Sequence, residues 1–208
     1  MTKRKALIPI SLSLVLGLWS CTEPQPPAEP AAEEQKPPEP IDGQTAFFRM
    51  FPAARNWSPD AQGLRLENLR IEEVEPKDGK YGAWRATFYS PSKNRVAVFN
   101  YSVVEVGGKI QKGVFQDHEE AFTSRLEKPW PVAAFKVSSE KAYQVALSRK
   151  ETKAYIKKNP DRPVNFLLEQ TNRHPNLAWR IYWGERLSTS DFSVFVDAST
   201  GDFLEIIR

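Results

Sequence analysis

The chain has 208 residues, 29 of them basic and 26 acidic, with one cysteine and two histidines. A single thiol cannot build an internal disulfide framework, so stability must come from a packed core. The formal charge of +3 resides in Lys3, Arg4 and Lys5; beyond them acids and bases balance and no basic run exceeds a pair such as Lys157-Lys158, which excludes a nucleic-acid partner held by a cationic face.

Taken in chain order, Lys3, Arg4 and Lys5 open a leader that is apolar from Ala6 to Trp19 except at Pro9, Ser11, Ser13 and Gly17, and closes with Leu18-Trp19-Ser20-Cys21. The apolar stretch is shorter than the roughly 20 residues that span a bilayer. A basic start, an apolar middle and a small residue ahead of a lone cysteine resemble a bacterial lipoprotein signal. The resemblance implies removal of residues 1–20 and a diacylglyceryl group on Cys21. Each buried methylene of such an anchor contributes about 0.8 kcal/mol, so the membrane becomes a partner through the lipid. Thr22 stands where an inner-membrane retention signal has Asp, which implies an outer-membrane location facing the periplasm if the host has two membranes.

Residues 21–40 form a linker. Positions 22–40 carry seven prolines, five glutamates and a single lysine, with no large apolar residue, so ordering them has nothing to offset its entropy cost. Proline density favours extended polyproline II at about 3.1 Å per residue, a reach of roughly 60 Å.

From Ile41 the composition becomes aromatic-rich, and the order of local signals occurs twice. Ser58-Pro59-Asp60 reads as a helix start, with Ser58 as N-cap and Pro59 in the first turn. Ser138-Ser139-Glu140 reads the same way, and its helix runs through Ala142, Val145, Ala146 and Ala154 to Asn159-Pro160. Each start precedes strand material with the same tripeptide, Ala83-Trp84-Arg85 and Ala178-Trp179-Arg180, and then Tyr101-Ser102-Val103 or Phe192-Ser193-Val194. Pro163 to Thr171 reads as an additional strand in the second half. Turns at Gly107-Gly108 and Ser199-Thr200-Gly201 punctuate the last hairpin of each half. The expected fold class is α+β, as two tandem repeats, 41–128 and 129–208, each a helix packed on an antiparallel β-sheet.

The closing segment, Asp191 to Leu204, is an apolar strand, the turn Asp197-Ala198-Ser199-Thr200-Gly201, and a second apolar strand. This hairpin resembles the carboxy-terminal hairpin of PepSY domains, and residues 129–208 are similar to such a domain, with 41–128 a divergent copy lacking the turn. The resemblance implies an envelope module that binds or restrains a protease or another envelope protein. Tandem copies are also similar to the two-repeat fold of a beta-lactamase inhibitory protein, in which a sheet face grips an enzyme. In the turn itself, Asp197 can accept backbone hydrogen bonds and Gly201 supplies a left-handed position, a structural role.

The search for chemistry finds no serine nucleophile elbow, P-loop or dinucleotide-binding glycine pattern. Asp117-His118-Glu119-Glu120 places consecutive side chains in different directions, unsuited to converging on one metal ion, and reads as a charged helix start or loop. His174 lies in Asn172-Arg173-His174-Pro175-Asn176, which reads as a loop. No catalytic residue, metal site or cofactor is expected. The two-residue period of a strand gives a sharper reading. With Trp84, Ala86, Phe88, Trp179, Ile181 and Trp183 facing the helices, Arg85, Tyr89, Arg180, Tyr182 and Phe195 form an open opposite face. Arginine and tyrosine are enriched at binding hot spots, so this face is the expected partner-binding surface. The alternative is a lipoprotein that binds a small molecule or peptide in an apolar pocket lined by Trp84, Trp179 or Trp183.

Overall fold

A computed structural model describes residues 37–123 and 126–208. The leader, Cys21 and most of the linker lie outside the described residues. Residues 37–208 form one compact unit.

Helix α1 (Gly43–Trp57) starts where Asp42 Oδ1 accepts a hydrogen bond from Thr45 N at 3.0 Å, the N-cap geometry that satisfies a free helix-end donor. Ala46, Phe47, Met50 and Ala54, spaced by three or four residues, are its buried stripe. Ser58 does not open a helix; it ends α1, its backbone N–H donating to Ala54 O. The expected start is corrected for a tertiary reason. Asp60 Oδ1 accepts from the hydroxyls of Ser58 and Ser90, and Oδ2 from Ser92 N, so the Ser-Pro-Asp group ties the end of α1 to a distant turn. The chain then enters strand β2 (Gln62–Leu69), after which come the two-residue β3 (Lys80–Tyr81), then β4 (Ala83–Ser90), β5 (Arg95–Ser102) and β6 (Gly113–Ala121). A two-residue strand ahead of α1, β1 (Ile41–Asp42), pairs with β3.

In the second half Ser138 does cap a helix, accepting from Lys141 N. That helix breaks once, at Arg149, into α2 (Ser139–Ser148) and α3 (Lys150–Lys158). Four strands complete the chain: β7 (Val164–Glu169), β8 (Ala178–Trp183), β9 (Phe192–Asp197) and β10 (Phe203–Ile207). All eight long strands lie in one antiparallel sheet, β10-β9-β8-β7-β2-β4-β5-β6, rather than in a sheet for each half. β2 and β7 join the halves through Arg65 opposite Glu169, Leu66 opposite Leu168 and Glu67 opposite Leu167.

The helices cover one face of this sheet, α1 over β4 and β5, α2 over β8 and β9. Trp84 and Trp179 are fully buried beneath them and meet edge to face, 6.3 Å between ring centroids. Each indole N–H donates to the carbonyl of the residue just ahead of a helix cap: Trp84 to Ile41 at 2.9 Å, Trp179 to Val137 at 2.8 Å. The two tryptophans thus set both helix starts against the sheet.

The connection from β6 to α2 changes sides of the sheet. The Phe122 ring lies 4.5 Å from that of Tyr89, and Glu127 accepts from Arg65, both on the helix-free face. Three residues later, Trp130 pairs its backbone both ways with Gly63 and lays its ring 5.2 Å from Phe47 of α1. The chain crosses where β2 and β7 part, with Lys128 N donating to Gln170 O beside the crossing.

The outer strands differ. β6 is exposed from Gln116 to Ala121 and carries Asp117, His118, Glu119 and Glu120; this stretch is an edge strand, not the expected helix start or loop, because it completes a ladder with β5. β10 has Phe203, Leu204, Ile206 and Ile207 with one acid, Glu205.

Candidate docking surface

The sheet face away from the helices is built by strand parity. On β4, Trp84, Ala86 and Phe88 are fully buried against α1, and Arg85, Thr87 and Tyr89 point the other way, each half-buried. On β8 the alternation repeats, with Trp179, Ile181 and Trp183 in the core and Arg180 and Tyr182 half-buried outside it.

Arg85 donates from Nε to Asn100 Oδ1 at 3.1 Å and lies 3.8 Å from Asp117 Oδ2. Tyr89 is covered by Phe122 of the crossing connection, so that end of the face is less open than parity alone indicates. Phe195 is further from expectation. It has the outward parity but is only 4% exposed, because the His174 ring stacks on it at 4.4 Å and the Arg180 guanidinium sits over it at 5.3 Å. It is the floor of a site rather than an exposed contact. His174 lies in the expected loop, and burial pushes its pKa down.

Arg180 and Phe195 are brought together, whereas Arg85 and Tyr89 stand in the other half. Between the two groups lies a charged cluster that the sequence reading missed. Arg65 donates to Glu67 Oε2 at 3.0 Å and to Glu127 Oε1 at 2.9 Å. Glu169, opposite Arg65 in the ladder, has its pKa raised chiefly by burial, which disfavours the carboxylate. The Leu64-Arg65-Leu66-Glu67 alternation carries the signal for these residues once 62–69 is taken as a strand; the false helix start at Ser58 hid it.

A cavity of about 500 Å³ opens on this face, lined among others by Glu169, Arg173, His174, Arg180, Phe195 and Ile207. Arg173 reaches Glu205 with two hydrogen bonds of 2.7 and 2.8 Å, and His174 Nε2 lies 2.9 Å from the same carboxylate. The Arg173 pair holds the Glu205 carboxyl below its usual range. Arg180 differs. It donates from Nε to Ser193 Oγ at 3.2 Å, and no carboxylate of the described residues lies within ion-pair distance. Burial lowers its pKa, the expected response of a cation partly withdrawn from water.

Trp84, Trp179 and Trp183, where an apolar pocket is the alternative expectation, are all buried. Trp84 and Trp179 fill the centre of the core, and Trp183 packs edge-on against Phe192 at 5.5 Å and Tyr155 at 6.2 Å. The Asp197 turn has Oδ1 accepting from Ser199 N and Thr200 N, with Gly201 at φ +84°. No group of three or more His, Cys, Asp or Glu side chains among the described residues is placed to hold a metal ion. No described helix is long and apolar enough to cross a membrane.

No protein-family model matches the chain. No curated protein is significantly similar to it. Among solved structures, one described as a candidate lipoprotein from Clostridium difficile 630 is similar, with 14% identity, coverage of 83% of this chain and 95% of that one, and a TM-score of 0.46.

Proposed function

We propose that the chain is a non-catalytic envelope lipoprotein, tethered through Cys21, that docks a protein partner on the helix-free face of its sheet. The observation that carries this reading is the contrast between the two faces. The helix side is closed by buried aromatics, whereas the opposite side exposes half-buried arginine and tyrosine, the residue types enriched where partners bind, around an Arg180 that no carboxylate of the described residues reaches as a direct ion pair, Glu169 acting on it only through space.

The folded unit is, in this reading, two copies of one module, a helical segment followed by four strands. Supporting this are the matched order of elements, the shared Ala-Trp-Arg strand, and the two indoles that each donate to the carbonyl ahead of a helix cap. The class of partner is the one the PepSY-like hairpin implies: a secreted or envelope protease, or another envelope protein. The lipid fixes the module near a surface, and the Pro/Glu linker spaces it.

The test is cross-linked capture from intact envelopes with the anchor retained, comparing the wild-type chain with Arg180→Ala/Tyr182→Ala. The double variant should recover its partner roughly tenfold less well, as for a hot-spot pair, while still unfolding in one cooperative thermal transition. Equal recovery by a folded double variant would remove the face from consideration.

A further inference from the structure

We infer that the cavity bounded by β8, β9, β10 and the 170–177 loop is a subsite for a carboxylate borne next to a bulky apolar group, such as a peptide's C-terminal residue. This rests on the reading of the helix-free face as a docking surface and names what the partner presents there.

The apolar half of the site is Leu126 and Ile207, above a Phe195 that His174 and Arg180 cover. Phe195 is held flat by the His174 stack, so the floor is formed before a ligand arrives and little side-chain entropy is lost on binding. A volume of about 500 Å³ admits a side chain of aromatic size together with its carboxylate.

The anion half is Arg180. A guanidinium has five N–H donors in a planar fork suited to a carboxylate. In the structure Nε is committed to Ser193 Oγ, and the guanidinium lies over the Phe195 ring. Both contacts fix its orientation and leave its terminal amino groups for a ligand. The other cation lining the cavity, Arg173, is committed to Glu205 through two hydrogen bonds, and His174 faces that same carboxylate. Glu205 therefore presents little uncompensated charge to an incoming anion. Among the described residues Glu169 is the remaining acid in the wall; it stands opposite Arg65 in the ladder, its charge also acts on Arg180, and burial disfavours its carboxylate form. Among the described residues the arrangement leaves one oriented, partly desolvated cation beside an apolar lining, which selects for an apolar carboxylate over either an apolar amide or a small free anion.

The experiment uses the full ¹⁵N-labelled chain, solubilised from membranes, titrated with N-acetyl-phenylalanine, its primary amide and sodium acetate, and followed by NMR. N-acetyl-phenylalanine should give saturable shifts at His174, Arg180 and Phe195, with the amide and acetate each about tenfold weaker or worse. Arg180→Gln should lose about the same factor while keeping a native spectrum elsewhere. Glu169→Gln, which removes the acid in the wall, should bind the probe at least as well as wild type. Equal affinity for acid and amide, undiminished binding by Arg180→Gln, or loss of binding by Glu169→Gln would each overturn the subsite. Because the titration needs no partner, capture lost in Arg180→Ala/Tyr182→Ala alongside absent probe binding would discard the subsite and keep the docking face.

Discussion

Gly63 shows how tightly single residues set the chain's path. Its backbone pairs in both directions with Trp130, and a Cβ built there would come within 2.3 Å of the Trp130 ring. Since Trp130 is fully buried against Phe47 and Phe135, the ring has little room to retreat. Gly63→Ala should therefore destabilise by about 1–3 kcal/mol, the usual cost of overpacking, and denaturant unfolding would measure it; a midpoint unchanged from wild type would show that the indole can shift. At this scale the sequence was informative about orientation and silent about cover. Arg85, Arg180 and Tyr182 fall on the face their parity dictates. Phe195 does so too, yet it is buried by His174, a contact between a loop and a strand that no local pattern encodes.

Among the elements, the β2–β7 seam holds the sheet together and depends on side chains as well as its ladder. Asn68 Oδ1 accepts from Phe166 N at 2.7 Å, its amide donates to Asn165 Oδ1 at 3.0 Å, and Asn165 passes the chain on to Gly184 O at 2.8 Å. Asn68→Ala would leave the buried Phe166 N–H without its acceptor and should cost about 1–3 kcal/mol, read as a lowered urea midpoint. Substitution at exposed Glu72, four residues along the chain, should leave that midpoint in place. The seam also explains why element assignment succeeded in one half and failed in the other. Ser138 caps the helix it precedes because its hydroxyl finds its partner three residues on, at Lys141 N. Ser58 carries the same local signal, but Asp60, Ser90 and Ser92 claim the polar atoms there, and the next residues are drawn into the sheet by β4 and β7. Tertiary pairing outweighs a local cap preference of about 1 kcal/mol.

For the folded unit as a whole, the halves share contacts that leave neither complete alone. Gly43 N donates to Ser139 Oγ at 2.8 Å, and that hydroxyl donates to Gly79 O at 2.6 Å. Trp130, from the connection, lies in the core under α1, and Trp84 meets Trp179 at the centre. Residues 37–208 should therefore unfold in one cooperative step, with far-ultraviolet circular dichroism and tryptophan fluorescence giving coincident transitions. Separate transitions would show that the halves hold their structure independently. The lipid anchor proposed at Cys21 belongs to this scale as well.

The unlike outer strands limit what the sheet can assemble into. A free strand edge invites another strand, and charged side chains along it discourage one. β6 presents Asp117, His118, Glu119 and Glu120 on its border, whereas β10 offers Phe203, Leu204, Ile206 and Ile207 around a Glu205 already occupied by Arg173. Strand addition is thus permitted on one side only. Two copies meeting through β10 would use up both receptive edges and leave the repelling ones outward, so association stops at a pair instead of propagating into a filament. That asymmetry acts as a built-in terminator of strand addition.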